Sequence, residues 1–128
     1  MTTSNLAPIT AAELMTREVV TASPSTPVED LARLLLQHAI GGVPVVDGDG
    51  LLVGMVSGFD VISKAGATTG EVMSRGVVSL TEDAGVDDIV SLMGLHGIRR
   101  VPVCRDRRIV GIISRSDLLR HYVANTSD

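Results

Sequence analysis

The sequence predicts an α/β fold, of the α+β type, made of one small unit written twice. Three matches predict the duplication. The segment Gly54-Met55-Val56-Ser57-Gly58-Phe59-Asp60 returns as Gly111-Ile112-Ile113-Ser114-Arg115-Ser116-Asp117. Ile40-Gly41-Gly42-Val43-Pro44-Val45 returns 58 positions later as Ile98-Arg99-Arg100-Val101-Pro102-Val103. Thr10-Ala11-Ala12-Glu13-Leu14-Met15 returns at the same offset as Thr68-Thr69-Gly70-Glu71-Val72-Met73. A chain of 128 residues is the length of one compact domain. Each half would be marginal alone, so the halves are expected to share a core and to carry two matching sites.

Each element follows from local pattern. Thr10-x-x-Glu13 is a capping-box spacing that opens a short helix. Val19 to Ala22 reads as a brief strand. Thr26-Pro27-Val28-Glu29 predicts a helix start, with threonine as N-cap, proline at the first helical position and glutamate at the third. Val28, Leu31, Leu34, Leu35 and His38 continue at helical spacing to about Ala39, and Gly41-Gly42 ends the run. Val43–Val46 and Leu51–Ser57 read as a hairpin around Asp47-Gly48-Asp49-Gly50. A second helix starts near Gly58 and fades at Gly66. The second copy repeats this order. It has a short helix from Thr68, a strand at Val77–Leu80 and a helix from about Gly85 to His96, with Asp83 as candidate cap. Strands at Val101–Cys104 and Ile109–Ser114 and a helix to about Val123 complete it. The repeats span 10–65 and 68–123, with flexible tails expected at 1–9 and 124–128.

Composition excludes several functions. No apolar run approaches the ~18 residues of a membrane span. The N-terminal residues lack a signal-peptide pattern, and a cytoplasmic location is the default expectation. One cysteine gives no disulfide framework, and Cys104 replaces Val46 on an apolar strand, which predicts a buried small hydrophobe. Three scattered histidines add no zinc spacing. Asp47-x-Asp49-Gly50 resembles the start of a calcium loop, but Gly58 stands where its glutamate belongs. His38 and His96 read as helix-end groups, and Glu29-Asp30 and Asp87-Asp88 as compensation of helix dipoles. The net charge of −4 conceals an asymmetry: all basic residues from 99 onward are arginines, seven of them against three aspartates. The second half is therefore better suited to an anion. Phe59 and Tyr122 are the only aromatics, too few for a base-stacking platform, so nucleic acid is not expected as a partner.

Ser57-x-x-Asp60 and Ser114-x-x-Asp117 carry the chemistry. The ordinary reading is a capping box, serine and aspartate each satisfying a backbone N–H. The functional reading notes that each motif ends an apolar strand after a glycine and recurs in both copies. Such a turn offers amides to an anion. The serine adds a hydroxyl, and an ionised aspartate accepts from the two donors of a vicinal diol. Phosphate plus diol describes a ribonucleotide.

These segments, in this order and duplicated, resemble a tandem pair of cystathionine-β-synthase (CBS) domains, or Bateman module, over residues 10 to 123. The leading Met15…Val19-Val20-Thr21 and Met73…Val77-Val78-Ser79 belong to the same resemblance. It implies two β-α-β-β-α repeats, packed through small mixed sheets with pseudo-twofold symmetry. It also implies binding of AMP, ADP, ATP or S-adenosylmethionine in clefts at the seam. The resemblance gives Asp60 and Asp117 the ribose hydroxyls and places Ser57 and Ser114 by ribose and phosphate. Adenine enclosure falls to Val20, Thr21, Gly42, Val43 and Pro44, and to Val78, Ser79, Arg100, Val101 and Pro102. Arg99 and Arg100, where the first copy has Gly41 and Gly42, are phosphate candidates; otherwise they are a solvated pair.

The expected function is therefore a non-catalytic regulatory module. It needs no cofactor, takes an adenine nucleotide or S-adenosylmethionine as regulatory ligand and signals in trans to an unknown protein partner. The alternative is a ligand-free interaction module serving as a dimerisation scaffold. Homodimerisation is implied by the resemblance. The apolar helix surfaces Leu31, Leu34, Leu35, Leu36 and Ile89, Val90, Leu92, Met93, Leu95 fit it, or fit deep burial of both helices.

Overall fold

The computed structural model describes residues 5–126. Among the described residues, six helices and four strands follow in the order α1 (Ala11–Leu14), α2 (Val28–Gln37), β1 (Gly42–Val46), β2 (Leu52–Ser57), α3 (Gly58–Ser63), α4 (Thr69–Val72), α5 (Val86–His96), β3 (Arg100–Arg105), β4 (Arg108–Ser114) and α6 (Arg115–Thr126). The α/β class and the duplicated order stand as read from the sequence.

The chain divides into two compact units, Val20–Val77 and Met1–Val19 with Val78–Asp128. The units are not cut at the sequence repeats. Each repeat's lead-in helix packs in the unit that holds the other repeat's hairpin. A four-residue helix is not stable alone, so each lead-in is held by outside bonds. In one unit, Thr69 N and Oγ1 both donate to Thr26 O at 2.8 Å, and Ser74 pairs with Met55. In the other, Ala11 N donates to Ala84 O at 2.8 Å, and Thr16 pairs with Ile112. Both lead-ins form the capping box their sequences predict. Glu13 accepts from Thr10 N and Oγ1, and Glu71 from Thr68 N and Oγ1.

Gly54 and Gly111 let the lead-ins approach. A Cβ on Gly54 would lie 2.6 Å from Met73 Sδ and 2.9 Å from Ser74 O. A Cβ on Gly111 would collide with the Met15 side chain. The missing side chains thus admit a methionine of the lead-in segment.

The two hairpins are alike. β1 pairs antiparallel with β2 and β3 with β4, each with a one-residue register shift, at Val45/Val46 and at Val103/Cys104. Each bulge falls beside the glycine that accommodates methionine, where the strand must bend. The strands expected at Val19–Ala22 and Val77–Leu80 contract to single parallel bridges, Ala22 to Val45 and Leu80 to Val103. Each bridge still supplies two backbone bonds, so a single parallel contact flanks each antiparallel two-stranded hairpin.

Each unit has its own core. Leu31, Leu35, Val43, Val45, Val56, Val72 and Met73 close one. Val86, Ile89, Met93, Val101, Val103, Ile113 and Met15 close the other. Each fully buried aliphatic side chain contributes about 1.5–3 kcal/mol. Leu36 and Leu95 lie outside the buried stripes, at 82% and 81% exposure, so neither long helix is apolar only where it is covered.

Other local expectations shift. The N-cap of α2 is Pro27, not Thr26, because Thr26 O is committed to Thr69 and its hydroxyl accepts from Ser23 N. Asp83 does not cap α5; it accepts from Thr81 Oγ1, and Gly85 is the N-cap. α2 ends at Gln37, before the glycines. Ala39 takes a left-handed φ of 53°, as Gly97 does at 62° after α5, and Ile40 N and Ile98 N close matching bonds to Leu35 O and Met93 O. α6 runs to Thr126, so residues 124–126, expected in a tail, belong to a helix; Asn125 Nδ2 donates to His121 O at 2.9 Å. At the other end Leu6 and Ile9 pack on a core, and His121 Nε2 bonds Ala7 O at 2.8 Å. Residues 1–4 and 127–128 of the expected tails lie outside the described residues.

Candidate functional site

The two strand-to-helix turns are built alike. β2 ends at Ser57 and β4 at Ser114, each followed directly by a helix. Gly58 N donates to Gly41 O at 2.9 Å, and Arg115 N to Arg99 O at 3.0 Å, fixing each turn against the segment before β1 or β3.

Both capping boxes are formed. Ser57 N donates to Asp60 Oδ2 at 2.8 Å, Ser57 Oγ donates to the same oxygen at 3.0 Å, and Asp60 N donates to Ser57 Oγ at 3.2 Å. The second turn gives 2.7, 3.1 and 3.4 Å for the same bonds between Ser114 and Asp117. The ordinary reading of these motifs is therefore a fact of the structure. It occupies one carboxylate oxygen of each aspartate.

The other oxygen faces a cation the sequence reading missed. Lys64 Nζ lies 3.0 Å from Asp60 Oδ1, and Arg120 Nη2 lies 2.6 Å from Asp117 Oδ1. The signal was present: Lys64 is four residues after Asp60 and Arg120 three after Asp117, both helical neighbour spacings. The carboxylates are mostly covered, at 16% and 10% exposure, whereas Lys64 and Arg120 stand 43% and 70% exposed. Pairs with one partner so solvated are worth only about 0.2–1 kcal/mol, so a better donor can displace the cations. Burial works against ionisation of Asp60, but bonds from the Ser57 amide, Lys64 and the Ser57 hydroxyl outweigh it and hold the carboxyl below its ordinary range. Asp60 is thus ionised and acceptor-only at neutral pH, the state a diol requires.

The other candidates fall into two groups. Val43, Pro44, Val101 and Pro102 are fully buried, and Val43 and Val101 belong to the two cores. The side chains of Val43 and Val101 are committed to packing, which leaves their backbones for a ligand. Gly42 is buried, Val20, Thr21 and Val78 are half-buried, and Ser79 is exposed. Arg99 is exposed and Arg100 half-buried, with no acidic partner for either among the described residues. Burial first, and then the Arg99 charge, lower the proton affinity of Arg100. The attraction of an arriving anion would offset both. Arg105, by contrast, is held by Glu82 through bonds of 2.7 and 2.9 Å.

The weaker features resolve plainly. Asp47 Oδ1 accepts from Asp49 N and Leu51 N, making a turn of the calcium-like sequence. His38 and His96 are exposed, and Cys104 is buried. Glu29 and Asp30 both face Arg33. Among the described residues no group of three His, Cys, Asp or Glu side chains could hold a metal ion, and no helix is long and apolar enough to cross a membrane.

With the geometry in hand, comparison with known proteins decides the family. The family model of the CBS domain matches twice, at residues 11–66 and 70–124. The chain belongs to the CBS domain family. It is 34% identical over 122 residues to the CBS domain-containing protein YhcV of Bacillus subtilis, covering 90% of this chain and 86% of that one. Among solved structures it is similar to the CBS domain pair of protein MJ0100 in complex with 5′-methylthioadenosine and S-adenosyl-L-methionine. That match has a TM-score of 0.87 at 29% identity and covers 94% of this chain and 100% of the other. It is equally similar to CBSX2 of Arabidopsis thaliana in complex with AMP, with a TM-score of 0.87 at 26% identity, over 92% and 98% of the two chains. The CBS repeats of this chain are thus a tandem pair like those two, with the Ser-x-x-Asp turns near the end of each family match.

Proposed function

We propose that this CBS pair is a non-catalytic regulatory module that binds adenosine-containing ligands at its two Ser-x-x-Asp turns. The observation that carries the reading is the half-committed carboxylate: Oδ2 of each aspartate serves the turn, and Oδ1 holds only a solvated cation. Two structural relatives bind ligands that share an adenosine, namely AMP, S-adenosyl-L-methionine and 5′-methylthioadenosine. In this chain Asp60 and Asp117 accept from the ribose hydroxyls, Ser57 and Ser114 lie by ribose and phosphate, and Arg99 and Arg100 attract phosphate. Backbone of the β1 and β3 segments, with Val20, Thr21, Val78 and Ser79, borders the base. Binding shifts the population of conformers, and the signal passes in trans to a protein partner or through a homodimer.

Calorimetric titration with AMP, ATP and S-adenosylmethionine tests the reading. Each charge-assisted bond to the carboxylate contributes about 1.5–3 kcal/mol. Asp117→Asn retains an acceptor for the turn but loses the charge, and its affinity is expected to drop more than tenfold. Unchanged affinity in a folded variant refutes the ribose role.

A second reading is favoured by the completeness of both capping boxes: the aspartates serve the fold alone and the chain is a dimerisation scaffold. Thermal denaturation separates the two. A binder gains melting temperature with ligand concentration; a scaffold does not respond to any of the three ligands and sediments as a dimer.

A further inference from the structure

Lys64 makes two bonds that join the first turn to a neighbouring element. Its Nζ lies 3.0 Å from Asp60 Oδ1 and donates to Val72 O at 3.1 Å. Val72 is the last residue of α4, and Val77 is the last of this unit. After α4 come Met73, seated against Gly54, and Ser74, paired with Met55 on β2. Lys64 therefore ties the aspartate of the first turn to the element through which the chain leaves the unit.

A carboxylate has about four acceptor positions. At Asp60, Ser57 N and Ser57 Oγ fill two on Oδ2, and Lys64 takes one on Oδ1. One is left, and a vicinal diol brings two donors. A diol seated on Asp60 must displace Lys64. Once released, Lys64 loses the anion that fixes its position, and the α4 carbonyl loses its donor.

The second turn is wired differently. Lys64 is matched there by His121, whose Nε2 bonds Ala7 O at 2.8 Å. Asp117 is held instead by Arg120 on its own helix. No bond from either residue reaches the backbone of α1 among the described residues. We infer that Lys64 makes α4 docking and diol binding at Asp60 compete, so that the first turn reports its occupancy to α4 and the second turn does not report to α1.

This rests on the reading of Asp60 as a diol acceptor, and amide hydrogen exchange separates the two claims. The reporters are Met73 N, bonded to Thr69 O, and Ser74 N, bonded to Met55 O; Met15 N, bonded to Ala11 O, is the control. In the free protein, Lys64→Met is expected to speed exchange at Met73 and Ser74 roughly two- to fivefold, the range for a partly exposed pair. Saturating adenosine is expected to do the same in the wild type and nothing more in Lys64→Met, with Met15 unmoved. The same titration with 2′,3′-dideoxyadenosine, which lacks the diol, is expected to leave all three amides unchanged. By linkage, adenosine binds the first turn of Lys64→Met about two- to fivefold more tightly than that of the wild type. If adenosine binds through Asp60 and Met73 and Ser74 keep their rates, the coupling is wrong and the diol reading survives. If Lys64→Met speeds those amides but adenosine binds neither protein, the diol reading fails and the reporting role fails with it. Equal acceleration at Met15 also overturns the asymmetry.

Discussion

Replacing Gly111 by alanine tests the exchange of lead-in segments between repeats. Met15 and Gly111 are 96 positions apart in the sequence, yet the methionine lies where a Cβ would stand. An alanine Cβ would overlap Met15 Sδ and come within 2.6 Å of Cγ and 2.9 Å of Cβ. Met15 is 8% exposed and packed in a core, so it has little room to move. Overpacking of this kind costs about 1–3 kcal/mol. Met15→Ala alone removes a buried methionine and costs about 2–5 kcal/mol. The double variant lacks the two nearest overlapping atoms and retains only the Cβ contact. Gly111→Ala should then cost far less in that background, giving a favourable coupling of about 1–3 kcal/mol. Equilibrium urea unfolding of the wild type, both single variants and the double variant measures it. Additivity to within about 0.5 kcal/mol would refute the contact and, with it, the assignment of α1 to the unit of the second hairpin.

Three further outcomes follow from other positions. Ala39→Gly should stabilise the protein by about 0.5–1 kcal/mol, because an L-residue at φ 53° is strained by more than glycine loses in chain entropy; a lowered urea midpoint contradicts it. Asp60, Glu71 and Glu82 all have folded pKa values below their ordinary ones. For Asp60, the Ser57 and Lys64 bonds override burial; for Glu71, the Thr68 hydroxyl leads, and for Glu82 the Arg105 bond. Their stabilisation is therefore complete above about pH 5 and is lost as pH falls through about 4 toward the depressed folded values. Urea midpoints at pH 7 and in the acid range check this, and Glu71→Gln should flatten the curve. Arg100→Ala should weaken AMP about tenfold or more, the worth of a charge-assisted bond, while leaving adenosine unchanged. Equal loss for both ligands in calorimetry would assign Arg100 to the base or to the fold.

Much of this fold was legible because its signals are local. The capping boxes at Thr10, Thr68, Ser57 and Ser114 depend on residues three apart, and the hairpins on runs of valine and isoleucine between turns. Several lost expectations were decided by distant residues. Thr26 looked like an N-cap until Thr69, 43 positions later, took its carbonyl. The early strands were readable as apolar, but not their contraction to one bridge each. Gly54 and Gly111 were legible as repeated glycines before the turns, but not the methionines that lie against them. At the site, the aspartates and serines were legible from their spacing. Lys64 and Arg120 were legible too, as helical neighbours of those aspartates, but their bonds to Oδ1 became meaningful only once Oδ2 was seen to be occupied.

The central claim is that adenosine ligands bind at the two turns, and a heteronuclear NMR titration of the labelled protein with AMP tests it most directly. The account predicts saturable shifts centred on the amides of Gly58, Phe59 and Asp60 and of Arg115, Ser116 and Asp117, reduced at each turn by its own aspartate-to-asparagine variant. Saturable shifts confined to other residues, or spectra that do not change with AMP, would contradict it.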